Sequence, residues 1–152
     1  MKMELGKESI SKYLENYQRQ TGQMGLPEDQ CAKIMKGLFR ALAYLHDEQN
    51  MIHRDIKPDN IILGSYKDLS KIKLLDFGLA VQDTLNTITD FAKCGTFLYK
   101  PPEQVINIFA YAKKADIWAS GIIMFYLLTG RHPIWNESIN KIQMEQIMKT
   151  FK

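Results

Sequence analysis

Only two cysteines, Cys31 and Cys94, occur in the 152 residues, and neither stands in a CxxC pair. A disulfide framework and a cysteine-built zinc site are therefore excluded as organising features, and a reducing compartment suits the chain. Charge of one sign is also lacking. Twenty Lys and Arg against 17 Asp and Glu leave a formal net charge of +3, too little to draw nucleic acid or an anionic membrane. The most apolar stretch, Ile117 to Leu128, is interrupted by Ser120 and Gly121 and falls short of the ~20 residues that a bilayer span needs. Met1 to Lys12 has no apolar run leading to small residues, so no secretory leader is expected and a cytoplasmic location is the expectation. Internal repeats and low-complexity tracts are missing as well.

What remains is the composition of one globular domain: 45% hydrophobic, 24% charged and 11% aromatic. Met1 to Leu5 reads as the tail of a strand and Ser9 to Gln18 as a short helix. A longer helix is expected to begin with Pro27 as its first residue, since proline's missing N–H goes unpaired there anyway. Cys31, Ile34, Leu38, Leu42 and Leu45 keep helical spacing, which assigns one face to a core. Met51 to His53, Ile61 to Leu63 and Ile72 to Leu75 read as short strands, the last two forming a hairpin across Gly64 to Lys71. Residues 78–102 show no clean period and read as a long loop, of the kind that tends to be functional. Asp116 to Thr129 is apolar almost all round and is expected to be buried on every side. A weaker helical pattern runs from Ser138 to Met148.

The densest run of chemistry is His53-Arg54-Asp55-Ile56-Lys57-Pro58-Asp59-Asn60. Sixteen residues after Asn60, directly behind an apolar strand, stands Asp76-Phe77-Gly78. Taken singly, Asp55 could cap a turn, Lys57 could be a solvated cation and Asn60 could favour a loop. In this order they resemble the catalytic-loop and metal-binding signatures of the eukaryotic protein kinase family. Lys57 is similar to the lysine of the serine/threonine type. Cys94-Gly95-Thr96 before Tyr99 resembles that type's substrate-facing loop, and the loop as a whole looks most like the calcium/calmodulin-dependent group. Pro101-Pro102-Glu103 stands where the family has APE, and Asp116 to Gly121 resembles the start of its central helix.

The resemblance implies a fold that is mainly α with short β-hairpins, the large (C-terminal) lobe of a kinase. It implies transfer of the γ-phosphoryl group of ATP, with Mg²⁺, to a serine or threonine hydroxyl of a protein substrate, with no nucleic-acid or membrane partner. Asp55 is then the proton acceptor, and Lys57 offers a cation to the phosphoryl group. Asn60 and Asp76 hold Mg²⁺, and Thr96 bonds to Asp55 and Lys57. Asp116 is expected to accept backbone N–H bonds from the catalytic loop. Ile62 is expected under the adenine ring, with Glu4 and Gly6 as the hinge that bonds it. Arg54 is the expected grip for a phosphorylated loop threonine; Ala92 occupies the family's commonest position, and Thr89, with Thr84 and Thr87 nearby, is the expected switch.

Neither a glycine-rich GxGxxG loop nor a VAIK-type lysine is present. Both belong to the family's small lobe, so the chain is expected to be a partial kinase domain over 1–152, from the end of the hinge to the helix after the central helix. An arginine partner for Glu103 is likewise expected to be missing. Such a chain is expected to be inactive alone. The alternative is a pseudokinase-like scaffold or binding fragment, against which the retention of Asp55, Asn60 and Asp76 argues.

Overall fold

The computed structural model describes residues 6–84, 94–105, 112–135 and 139–150, and within them the chain is mainly helical with short strands. Helix α1 (Ile10–Thr21) is capped by the Ser9 hydroxyl, which accepts from the Lys12 amide. It runs three residues past the expected end at Gln18. Gly22 stops it by turning left-handed at φ 70°, where its amide donates to the Gln18 carbonyl. Helix α2 (Glu28–Ala43) places Glu28 and Asp29 at the positive end of its dipole. Pro27 precedes the helix as its cap instead of opening it, because ψ 146° keeps that residue extended. A wider π-type turn, Tyr44–Glu48, continues α2 and carries Leu45 and His46 inward.

Strands β2 (Ile61–Leu63) and β3 (Ile72–Leu74) form the expected antiparallel hairpin, with Ile62 opposite Lys73. Strand β1 (Met51–Ile52) pairs elsewhere, with β4 (Val81–Gln82), which the sequence pattern does not announce. Two residues are too few to display alternation. The chain entering α1 lies against β2: the Lys7 amide donates to the Leu63 carbonyl and the Leu63 amide to the Glu8 carbonyl, at 2.8 and 2.9 Å. Helix α3 (Pro102–Val105) begins where the aperiodic stretch ends.

Helix α4 (Ala112–Thr129) and helix α5 (Lys141–Met148) complete the described elements. The last starts three residues later than the pattern suggests, where Asn140 and Gln143 form a reciprocal capping box. The core joins Ile10 and Leu14 of α1, Ile34 and Leu38 of α2, Leu63 of β2, and Ile123 and Leu127 of α4. Burial of α4 on every side is not observed. Ile117, Met124, Phe125 and Leu128 are each at least 40% exposed, because α2 and the core cover only the opposite face. No described helix is long and apolar enough to cross a membrane.

Candidate active site

The connection between β1 and β2, which lie in different two-stranded sheets, carries the expected catalytic residues. Its backbone is held from below by Asp116, which is 1% exposed on α4. One carboxylate oxygen accepts from the His53 amide at 2.9 Å and from His46 Nε2 at 2.8 Å, and the other accepts from the Arg54 amide at 3.0 Å. Arg54 has φ 67°, a left-handed conformation that costs a non-glycine residue about 1–2 kcal/mol. Two charge-assisted bonds to one buried carboxylate offset that strain. The expectation for Asp116 is met, and His46, four places after the buried Leu42, joins it as a polar partner that an apolar pattern passes over.

Above this support, Asp55 is buried and accepts four hydrogen bonds. Its Oδ1 receives the Thr96 amide at 3.0 Å and the Thr96 hydroxyl at 2.7 Å. Its Oδ2 receives Lys57 Nζ at 2.7 Å and Asn60 Nδ2 at 3.1 Å. Lys57 Nζ also donates to Thr96 Oγ1 at 3.1 Å, closing a triangle with Asp55 and Thr96. Burial pushes the Asp55 carboxyl up, but the bonds from Lys57 and Thr96 and the charge of Lys57 outweigh it, so the group lies below the usual carboxylate range. Asp55 is therefore an oriented carboxylate at neutral pH.

Gly95 makes the approach of Thr96 feasible. It has φ 88°, and a Cβ on it would lie 2.5 Å from the Arg54 carbonyl oxygen. Only glycine permits both the conformation and the contact.

Asn60 gives both its amide hydrogens to Asp55, since Nδ2 also donates to the Asp55 carbonyl at 2.9 Å. Its Oδ1 is left as an acceptor. Asp76 is exposed, and its Oδ1 accepts only from the Gly78 amide among the described residues. It makes no bond to Asp55 or Asn60. The link between the two segments runs through the backbone and the His53 ring instead. The Leu75 amide donates to the Asn60 carbonyl at 2.9 Å, His53 Nε2 bonds to the Leu75 carbonyl at 2.9 Å, and the Phe77 ring lies 5.0 Å from the His53 ring. His53 thus joins the two motifs, a role that its place in the run does not reveal.

A carboxamide oxygen and a carboxylate form a hard-oxygen donor pair that fits Mg²⁺, which takes its remaining ligands from phosphates and water. No group of three His, Cys, Asp or Glu side chains among the described residues could cage a metal, so the fit is to an ion of that kind. Gly6 and Ile62 are neighbours: a Cβ on Gly6 would collide with Ile62 Cγ2. Glu4, Thr87, Thr89 and Ala92 lie outside the described residues. Thr84 is exposed at the end of the segment that follows β4. Arg54 Nε donates to the Leu79 carbonyl. Glu103 is half-buried and forms no ion pair among the described residues.

A family model described as the protein kinase domain matches residues 1–152. The serine/threonine-protein kinase TIO of Arabidopsis thaliana is 40% identical over 75% of this chain and 8% of that protein. Myosin light chain kinase A of Dictyostelium discoideum is 36% identical over 80% of the chain and 40% of that protein. Calcium-dependent protein kinase 5 of Plasmodium berghei is 40% identical over 80% of the chain and 21% of that protein. The chain thus spans less than half the length of these relatives.

Proposed function

The chain belongs to the protein kinase family, and from that premise we propose that it forms the catalytic region of an enzyme moving the γ-phosphoryl group of ATP onto a serine or threonine hydroxyl of a protein. The observation that carries the proposal is the joint anchoring of Asp55, Lys57, Asn60 and Thr96 in one hydrogen-bonded cluster. In this reading the chain is a partial kinase domain, the large lobe, running from the end of the hinge to the helix after the central helix.

Phosphoryl transfer asks a protein mainly for positioning and charge neutralisation. A carboxylate offers about four acceptor sites, and on Asp55 all four are taken. An incoming substrate hydroxyl therefore displaces one donor. Lys57 is the donor with a second role. As its Nζ moves to the phosphoryl oxygens, it frees Oδ2 for the hydroxyl. Asp55 then accepts the hydroxyl proton as the new P–O bond forms and the bond from the γ-phosphorus to the β–γ bridging oxygen breaks, that oxygen leaving on ADP. Thr96 and Asn60 keep the carboxylate oriented throughout. Asn60 Oδ1 and the Asp76 carboxylate would hold Mg²⁺, whose charge would neutralise the phosphates. Ile62 and Gly6, with Glu4, would form the adenine side of the nucleotide site.

The test is incubation of the native protein with γ-labelled Mg²⁺-ATP and a degenerate library of serine, threonine and tyrosine peptides. Label on serine or threonine is expected. Nucleotide binding without any transfer would instead support the scaffold reading.

A further inference from the structure

Beside the catalytic turn lies a cavity of about 750 Å³ that the phosphoryl-transfer cluster does not use. Its walls include the turn Leu98–Tyr99 on one side and residues 130–135, the turn that follows α4, on the other. One side chain bridges those two walls. His132 Nε2 bonds to the Leu98 carbonyl at 2.8 Å, while Nδ1 accepts the Trp135 amide at 2.8 Å and the Ile134 amide at 3.2 Å. The Tyr99 ring meets the imidazole edge-on, with centroids 6.0 Å apart and planes at 77°. Two backbone donors on Nδ1 leave the single proton to Nε2, so both nitrogens are used with the polarity of the neutral ring.

The turn that His132 holds is the one that starts at Thr96. Thr96 is fixed by its own bonds to Asp55 and Lys57, and its carbonyl accepts the Tyr99 amide at 3.0 Å. The far end of the turn, at Leu98, is secured by His132. We propose that His132 is a positioning residue for the protein substrate, pinning residues 97–99 to the turn after α4 so that the groove beside Pro58 and Asp59 of the catalytic turn has a fixed wall. That the groove receives substrate rests on the kinase reading above; the clamp itself stands on the geometry alone.

A second proton would have to enter at Nδ1, against two N–H groups, so acid opens the clamp. The titratable and charged groups around it are Tyr99, Tyr126 of α4, Glu15 of α1, Asp59 of the catalytic turn and the adjoining Arg131. Burial raises the Tyr99 and Tyr126 hydroxyls, so neither ionises as the histidine titrates. Burial also lowers His132 from its ordinary value of 6.5, against a smaller upward effect of the Leu98 carbonyl. The neutral clamp is therefore complete above 6.5 and is lost as pH falls through the lowered value.

Two variants separate the two ends of the ring. In His132→Asn the side-chain oxygen can still accept from residues 134 and 135, but nothing reaches Leu98. In His132→Gln the amide N–H extends toward Leu98. With the best serine peptide from the library, His132→Asn is expected to raise peptide KM about 3- to 10-fold, the worth of one hydrogen bond, with ATP KM unchanged. Exchange of the Tyr99 and Lys100 amides should quicken by a similar factor, and His132→Gln should reverse much of both effects. The rise of wild-type peptide KM in acid should be absent from the asparagine variant. An unchanged peptide KM, a matching rise in ATP KM, or no recovery in His132→Gln would each overturn the proposal. If the wild type transfers no phosphate, the kinase reading fails separately, and unaltered amide exchange in His132→Asn then refutes the clamp by itself.

Discussion

At the scale of single residues, the site is governed by how many donors converge on Asp55. Thr96 supplies two of the four and also accepts from Lys57. Thr96→Val keeps the amide bond and deletes the hydroxyl, and should lower kcat about 10- to 100-fold, the loss of one bond to a charged group. Thr96→Ser should retain most activity, so steady-state kinetics on the pair isolates the hydroxyl. The lowered Asp55 carboxyl has a consequence for stability. Its ionised form is favoured by folding, so its contribution is complete above 3.8 and is lost as pH falls through the lower folded value. Urea titrations below pH 4 should accordingly show a shallower acid loss in Asp55→Asn than in the wild type. Gly95→Ala must place a methyl 2.5 Å from the Arg54 carbonyl at φ 88°. A loss of about 2 kcal/mol or more in urea unfolding is expected, since backbone strain and steric displacement add.

At the scale of elements, α4 supports the catalytic connection through Asp116. Replacing it with alanine leaves the amides of His53 and Arg54 and the His46 ring without their acceptor. A cost of about 3–5 kcal/mol is expected in urea unfolding, whereas Asp116→Asn should cost less because one oxygen remains. The sequence made much of this scale legible. Core faces of α1 and α2 follow helical spacing, and the β2–β3 hairpin follows two aliphatic runs around a polar loop. Asp55, Lys57, Asn60 and Thr96 could be named because their order in the chain is distinctive, although their mutual bonds are made only in three dimensions. The rest was hidden for identifiable reasons. His46 shares the buried side of Leu42 but is polar, so the apolar pattern passes over it, and β4 is two residues long. His132 acts through backbone groups, which leave no mark on residue type. The composition of α4 is apolar on all sides, so periodicity could not tell its covered face from its open one.

At the scale of the whole molecule, that open face matters. Met124 and Leu128 are about two-fifths exposed while Ile123, on the same helix, is fully buried. In the chain described, changing Met124 and Leu128 together to Gln should shift stability by less than about 1 kcal/mol. Ile123→Ala should cost about 2–5 kcal/mol, and urea unfolding of both variants gives the contrast. The face therefore contributes little to the fold described and much to the exposed apolar surface. In the proposed reaction, Asp55 accepts the proton of an alcohol beside Mg²⁺ held by Asn60 and Asp76. The most direct test of that step is the rate of phosphate transfer from Mg²⁺-ATP to a serine peptide by the native protein and its Asp55→Asn variant, with ATP affinity measured in parallel. A fall in kcat of about 10²- to 10⁴-fold is expected, with ATP affinity nearly unchanged; equal rates in the two proteins would rule Asp55 out as the proton acceptor.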